Sequence, residues 1–214
     1  MRVLDDLRVI ELSETAAAAF AGRLCADAGA EVVLVEPAGG HPLRREGPFV
    51  GDVSAVHLHV NAGKRSVVLD AEAQAEELRA LVEGADVFIT DWPTSALEPI
   101  GLDAATLRGR APGLVITQVT PFGDSGPYRD YAGTNLVELA LGGQLKITGD
   151  PDRPPLSNYG SQAEYQAGLS AFAGTISNVL LRDVRRLSLL GRLRLPNRVR
   201  AAAVGAAEGR RRPR

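Results

Sequence analysis

The sequence predicts an open α/β fold with a Rossmann-like, mostly parallel sheet flanked by helices. Two observations carry this expectation. Short apolar runs rich in Val and Ile alternate with helical patterns along most of the chain. The first β-α-β pattern fits within about 30 residues, which argues for parallel strands joined by a right-handed crossover. The composition agrees: 214 residues, 45% hydrophobic and 23% charged, are ordinary for a globular protein and enough for one sizeable core or two small ones.

Each element has its own signal. Arg8–Leu12 is a short apolar strand. Thr15 to Gly29 is Ala-rich, which favours helix, and Gly29 fits its C-terminal stop. Glu31–Glu36, EVVLVE, reads as a buried strand, and Gly39 to Gly51 as a loop. A third strand is expected at Ser66–Leu69, followed by an amphipathic helix over Ala71–Val82 that Gly84 ends. Asp86–Thr90 is a fourth strand, Asp103–Arg110 a short helix and Leu114–Val119 a fifth strand. Helical runs follow at Thr134–Leu141 and Ser161–Leu181. The pattern does not order the strands within the sheet. Ligand sites in such folds lie at the carboxyl ends of the strands, so Ser13–Thr15, Pro37–Arg45, Asp91–Ser95 and Thr120–Tyr128 are expected around one crevice.

Composition excludes several classes. The start, Met1-Arg2-Val3-Leu4-Asp5-Asp6, is not a secretory signal, and no apolar run reaches the ~18 residues of a membrane span. The single cysteine, Cys25, rules out an internal disulfide and a multi-cysteine zinc site, and it reads as a small buried hydrophobe. A cytoplasmic location is therefore expected. The turn after the first strand, Ser13-Glu14-Thr15-Ala16, is not G-x-G-x-x-G, and no P-loop occurs, so neither NAD nor a P-loop nucleotide is expected. Gly123-Asp124-Ser125-Gly126-Pro127 is shared with trypsin-like proteases, but in an α/β chain it reads as a Gly/Pro turn. His57 and His59 would share a face if they lay in a strand, but without a third ligand they make a poor metal site, and no metal is expected.

One carboxylate stands out. Ser161-Gln162-Ala163-Glu164-Tyr165-Gln166-Ala167-Gly168 places Glu164 at the head of a helical run, just after the loop Pro151 to Pro155. An acid there serves either the helix dipole or chemistry.

Four segments in order resemble the class III CoA-transferase family, which includes formyl-CoA transferase, carnitine CoA-transferase and α-methylacyl-CoA racemase. Leu7–Leu12 with Ala18–Glu36 (AAFAGRLCADAGAEVVLVE) is similar to its opening strand, helix and strand. Asn61–Asp70 (NAGKRSVVLD) resembles its "NxxKRSxxLD" segment. Ala85–Ile89, Leu97, Gly101-Leu102 and Pro112–Val115 follow its next block, and Thr120–Gly123, Gly126–Tyr128 and Gly142-Gly143 continue it. The resemblance runs from residue 7 to about 181.

The resemblance implies an acyl-CoA:carboxylate CoA-transferase using coenzyme A thioesters and carboxylic acids as substrates, with a carboxylate nucleophile that forms an acyl anhydride and then an enzyme thioester. It implies a homodimer of interlocked chains, each about twice this length, so that residues 1–181 are the N-terminal part of a large domain and the sheet is incomplete. Glu164 falls at the position of the family's nucleophilic Asp, one methylene longer. The family's CoA contacts carry over to Lys64, Arg65, Arg44, Asp91 and Trp92; phosphates suit the cations and adenine the indole. Pro99 stands where several members carry Arg, and His41 where the family often has Asp. Two other readings of the same chain are a racemase-like isomerase and a non-catalytic CoA-binding remnant.

The resemblance stops near Arg182-Asp183. Residues 182–214 carry 11 Arg against Asp183 and Glu208, a surplus of 9 positive charges, whereas the preceding residues hold 13 basic and 24 acidic groups, a deficit of 11. This tail is expected to be a frameshifted reading of GC-rich DNA or a disordered basic arm. Without aromatic partners, and on an acidic body, it is not expected to bind nucleic acid.

Overall fold

A computed structural model describes residues 3–190. The chain divides into two compact units, Met1–Ile176 and Ser177–Arg214. In the first unit the chain runs β1 (Arg8–Leu12), α1 (Ala16–Ala28), β2 (Glu31–Glu36), a 3-10 turn at Pro42–Arg45, β3 (Phe49–Val50), β4 (Val53–Ser54), α2 (Ala55–Asn61), β5 (Arg65–Val68), α3 (Ala75–Glu83), β6 (Val87–Thr90), α4 (Thr94–Leu97), α5 (Ala104–Arg110), β7 (Val115–Gln118), α6 (Asn135–Leu141), a 3-10 turn at Gln144–Ile147 and the start of α7 (Gln162–Leu190). Among the described residues, five parallel strands form one sheet in the order β5-β2-β1-β6-β7. The order reverses between β1 and β6, and at such a switch point the chain leaves neighbouring strands in opposite directions and opens a crevice.

The two faces of β1 are partitioned by the period of two. Ile10 and Leu12 pack with Val33, Val35 and Phe88 against Leu78 and Val82 of α3, Leu97 of α4 and Leu107 of α5, all nearly inaccessible to water. Truncating Phe88 in that layer to Ala would cost about 3–5 kcal/mol. Glu11 points the other way, beneath α1. Gly22 makes room for it, because a Cβ on Gly22 would lie 1.7 Å from Glu11 Oε2. The expected stop of α1 holds: Gly29 adopts φ 114 and its N–H caps the last turn.

Several boundaries move, for physical reasons. The helix expected from Ala71 starts at Ala75, because the Asp70 carboxylate takes the N–H groups of Glu72 and Ala73 and holds a turn there. The stretch expected as loop from Gly39 to Gly51 contains the Pro42–Arg45 turn and β3. His57 and His59 lie on the helix α2, not in a strand; His57 is buried and His59 exposed. The last helix continues nine residues past Leu181 to Leu190, since neither Gly nor Pro interrupts it before Gly191. The remainder of the Arg-rich tail, 191–214, lies outside the described residues. No described helix is long and apolar enough to cross a membrane.

Candidate active site

The turn after β1 and the start of α1 form the floor of the site. Asp91, just past β6, reaches across the switch point and accepts the N–H groups of Glu14 (2.9 Å) and Thr15 (2.7 Å) and the Thr15 hydroxyl (2.7 Å). It is an N-terminal cap for α1 delivered from a neighbouring strand. Burial raises its pKa, and the three donors oppose that shift.

Glu164 arrives from above on α7. Asn135 braces the start of that helix, its side chain accepting the Ala163 N–H (2.9 Å) and donating to Gly160 O (3.2 Å). Tyr165 lies edge-on against Phe20 of α1 at 5.0 Å between ring centroids. Gly168 permits the crossing: a Cβ there would stand 2.5 Å from Ala17 O and 3.0 Å from Phe20 Cβ. Further along, the Thr175 and Thr117 hydroxyls meet at 2.6 Å and tie α7 to β7. The result is that the half-buried Glu164 carboxylate accepts the backbone N–H of Ala16, the first residue of α1. Burial raises its pKa, Glu138 and Glu46 raise it further, and the Ala16 N–H counteracts them.

Glu164 and Asp91 line one cavity of about 360 Å³, together with Thr15, Thr120, Glu138 and Gln144 and the apolar groups of Val119, Pro121 and Leu139. Among the described residues, no Lys, Arg or His lines it. A carboxylate held on a helix N-terminus, beside apolar walls, can act as a nucleophile toward an electrophilic carbon. Among the described residues, no group of three or more His, Cys, Asp or Glu is placed to hold a metal ion.

The remaining residues expected at the site lie apart from this cavity. The Lys64 ammonium, 1% exposed, is tied to Glu11 (2.7 Å), Ala19 O (2.8 Å) and Asn61 Oδ1 (2.7 Å), so its three donors serve the protein instead of a phosphate. Burial raises the Glu11 pKa and lowers that of Lys64, and their pairing opposes both shifts. Arg65 sits on the surface, paired with Glu31 at 2.6 Å. Arg44 clamps Glu36 with two bonds, 2.7 and 2.8 Å, which holds the Glu36 carboxyl down at about 2. Trp92 packs against the aliphatic core beneath α4 and α5, filling a core slot. Cys25 is buried, its thiol pushed up to about 12 chiefly by burial.

Two features escaped the sequence reading. The first is a buried polar chain. His41 Nδ1 accepts the Leu43 N–H, which leaves its Nε2–H facing Ser13 Oγ at 3.3 Å, and Ser13 donates to Glu11 at 2.8 Å. His57 and Asn61 extend it to Lys64. Its members are scattered from residue 11 to residue 64, and no local pattern joins them. The second is Glu138 on α6, whose signal was available as the one acid within Leu136-Val137-Glu138-Leu139-Ala140-Leu141.

Residues 4–185 match CoA-transferase family III. The chain is 40% identical over 163 residues to a succinate–glutarate CoA-transferase of Agrobacterium fabrum, covering 72% of this chain and 41% of that one. It is 42% identical over 159 residues to a succinyl-CoA–D-citramalate CoA-transferase of Chloroflexus aurantiacus, covering 72% and 39%. The crystal structure of a CaiB/BaiF family protein from Brucella suis superposes with a TM-score of 0.80 at 33% identity, covering 85% of this chain and 50% of that one. The chain thus spans about two fifths of the length of these two curated relatives.

Proposed function

The chain belongs to CoA-transferase family III, and from that premise we propose that it serves acyl-CoA:carboxylate CoA transfer with Glu164 as the nucleophile. The observation that carries the reading is the placement of the Glu164 carboxylate on the Ala16 N–H, at the rim of a cavity at the sheet's switch point. A Glu164 oxygen attacks the thioester carbonyl carbon, the C–S bond breaks, and CoA leaves as thiolate from a mixed anhydride. The thiolate then attacks the Glu164 carbonyl carbon and expels the first acid as its carboxylate. An acceptor carboxylate takes the acyl position in the same way, and the CoA thiolate ends on the acceptor while Glu164 is regenerated. No oxidant and no net proton is required.

The relatives' names point to succinyl-CoA as the donor to try first. A second chain in a homodimer is supported by apolar side chains left open on and after α6, namely Leu136, Leu141, Ile147 and Leu156. Because the chain covers less than half of its curated relatives, complete turnover by this chain alone is expected to be weak, and the test reads a single turnover. Incubation with succinyl-CoA followed by hydroxylamine and peptide mass spectrometry should mark Glu164, and the mark should vanish in Glu164→Gln. An unmarked Glu164, or a mark that persists at the same peptide in the variant, overturns the assignment.

A further inference from the structure

We propose that Asn135 is a positioning residue for the reaction at Glu164: its side-chain amide fixes where α7 begins and so holds the Glu164 carboxylate on the Ala16 N–H. The inference rests on the function proposed above and names the group that keeps the nucleophile in place.

Two bonds of opposite sense carry this role. Asn135 Oδ1 accepts the N–H of Ala163 at 2.9 Å, and Asn135 Nδ2 donates to the Gly160 carbonyl at 3.2 Å. Between those partners the Ser161 carbonyl takes the first helical N–H, that of Tyr165, at 3.0 Å. Ser161 is therefore the cap position of α7, and Ala163 carries one of the orphan N–H groups that a cap side chain ordinarily satisfies. Here the acceptor comes instead from Asn135, the first residue of α6 and 28 residues earlier in the chain. The donor half needs a turned carbonyl, and Gly160 stands at φ 73, a left-handed conformation that glycine adopts without strain. The mount of Asn135 is itself fixed. Thr134 caps α6, accepting the Val137 N–H at 3.4 Å, and Leu139, 3% exposed, anchors that helix in the protein. Gly133 lets the chain pass Pro121, since a Cβ there would lie 2.3 Å from Pro121 Cβ.

Glu164 follows Ala163 directly and is the third residue of α7. Successive helical residues point about 100° apart, so a helix start that slips or frays by one residue aims this carboxylate away from Ala16. A displacement near 1 Å is enough to cost about 10²-fold in rate. The choice of an amide has an electrostatic reason. The charges that face Glu164 are acidic: Glu138 on α6, Glu46 after the Pro42–Arg45 turn and Asp91 after β6. A carboxylate at position 135 would also accept the Ala163 N–H, but it would add a further negative charge beside the nucleophile and set an acceptor against the Gly160 carbonyl. The Asn135 amide satisfies one donor and one acceptor and adds no charge.

The test measures acylation of Glu164 by succinyl-CoA across a range of concentration and pH in the whole chain, with Asn135→Ala and Asn135→Asp alongside. Asn135→Ala should lower the acylation rate constant at saturation by about 10- to 100-fold and leave the Kd for succinyl-CoA within about twofold of the parent. Asn135→Asp keeps the acceptor and should recover a plateau rate within about tenfold of the parent. Its added carboxylate acts together with Glu138, Glu46 and Asp91, so the limb on which Glu164 ionises should move to higher pH. A parent-like rate constant in Asn135→Ala, a loss confined to Kd, or an unmoved limb in Asn135→Asp overturns the proposal. If the parent forms no adduct, the nucleophile assignment fails, and amide hydrogen exchange decides Asn135 separately. In Asn135→Ala the Ala16 N–H on α1 should exchange at least about tenfold faster while the amides of β1 are unchanged. Faster exchange at Ala163 with Ala16 unaffected would reduce Asn135 to a cap of α7 and refute the positioning role.

Discussion

The carboxylate of Glu164 accepts the N–H of Ala16, so the candidate nucleophile stands at the N-terminus of α1 as well as near that of its own helix α7. The first helical position tolerates proline, and the preceding Thr15 is already extended at φ −105, ψ 162, as a residue before proline must be. Ala16→Pro should therefore keep the fold while deleting one hydrogen bond to a charged acceptor, worth about 1.5–3 kcal/mol. Acylation of Glu164 should slow by about 10- to 100-fold, and its pKa should rise. Ala16→Gly, which keeps the N–H, should acylate at the parent rate. Parent-like acylation in the proline variant would show that this donor does not activate the acid.

Gly168 presents a conflict between propensity and packing. Ala in a helix interior is favoured over Gly by about 1 kcal/mol, so Gly168→Ala on an isolated helix would stabilise. Here the new Cβ would lie 2.5 Å from Ala17 O, backbone that cannot rotate away. The clash wins, and the variant should lose about 1–3 kcal/mol in urea unfolding. Because α7 has to lift off α1, Glu164 should also withdraw from Ala16, and acylation should fall more than stability does. A more stable Gly168→Ala protein would mean that α7 does not cross α1 this closely.

Lys64 separates two roles by their consequences. A phosphate-binding lysine, changed to Met, would weaken CoA binding and leave stability alone. The buried Lys64–Glu11 pair predicts the reverse. Lys64→Met strands the Glu11 carboxylate out of water and should cost about 3–5 kcal/mol, while Lys64→Met with Glu11→Leu should recover most of the loss. Thermal unfolding of the two variants distinguishes the roles.

The fold was legible where the information is local. EVVLVE, the Ala run before Gly29 and the run Asp103–Arg110 each announce one element, and each lies where it was expected within a residue or two. That Glu164 stands at a helix start was legible from the run that follows it. What could not be read was pairing across distance. The alternating pattern in β1 shows that Glu11 leaves the apolar face, but only the folded chain shows that Lys64, 53 residues on, is its partner. The same basic pair that suggested a phosphate contact from sequence is split by strand geometry, one side chain turned inward and Arg65 outward.

His41 makes stability depend on pH with a definite sign. It is inaccessible to water, and its ring is fixed as the neutral tautomer by the Leu43 N–H and Ser13. Burial, followed by the His57 and Lys64 charges, lowers its pKa to about 4, against about 6.5 in the unfolded chain. Between those values the unfolded state binds a proton that the folded state does not, so stability is complete above pH 6.5 and declines as pH falls toward 4. The loss from this residue should approach 3 kcal/mol, on the order of 1.4 kcal/mol per pH unit in the window. His57, also lowered by burial, adds a slope of the same sign, and the Glu36–Arg44 clamp extends the decline below pH 4.5 as Glu36 titrates toward about 2. Asn at position 41 can still cap the Pro42–Arg45 turn without titrating. His41→Asn should therefore be less stable at pH 7 but flatter between pH 6.5 and 4.5, read from urea midpoints. An unchanged slope in that variant would place the acid sensitivity elsewhere.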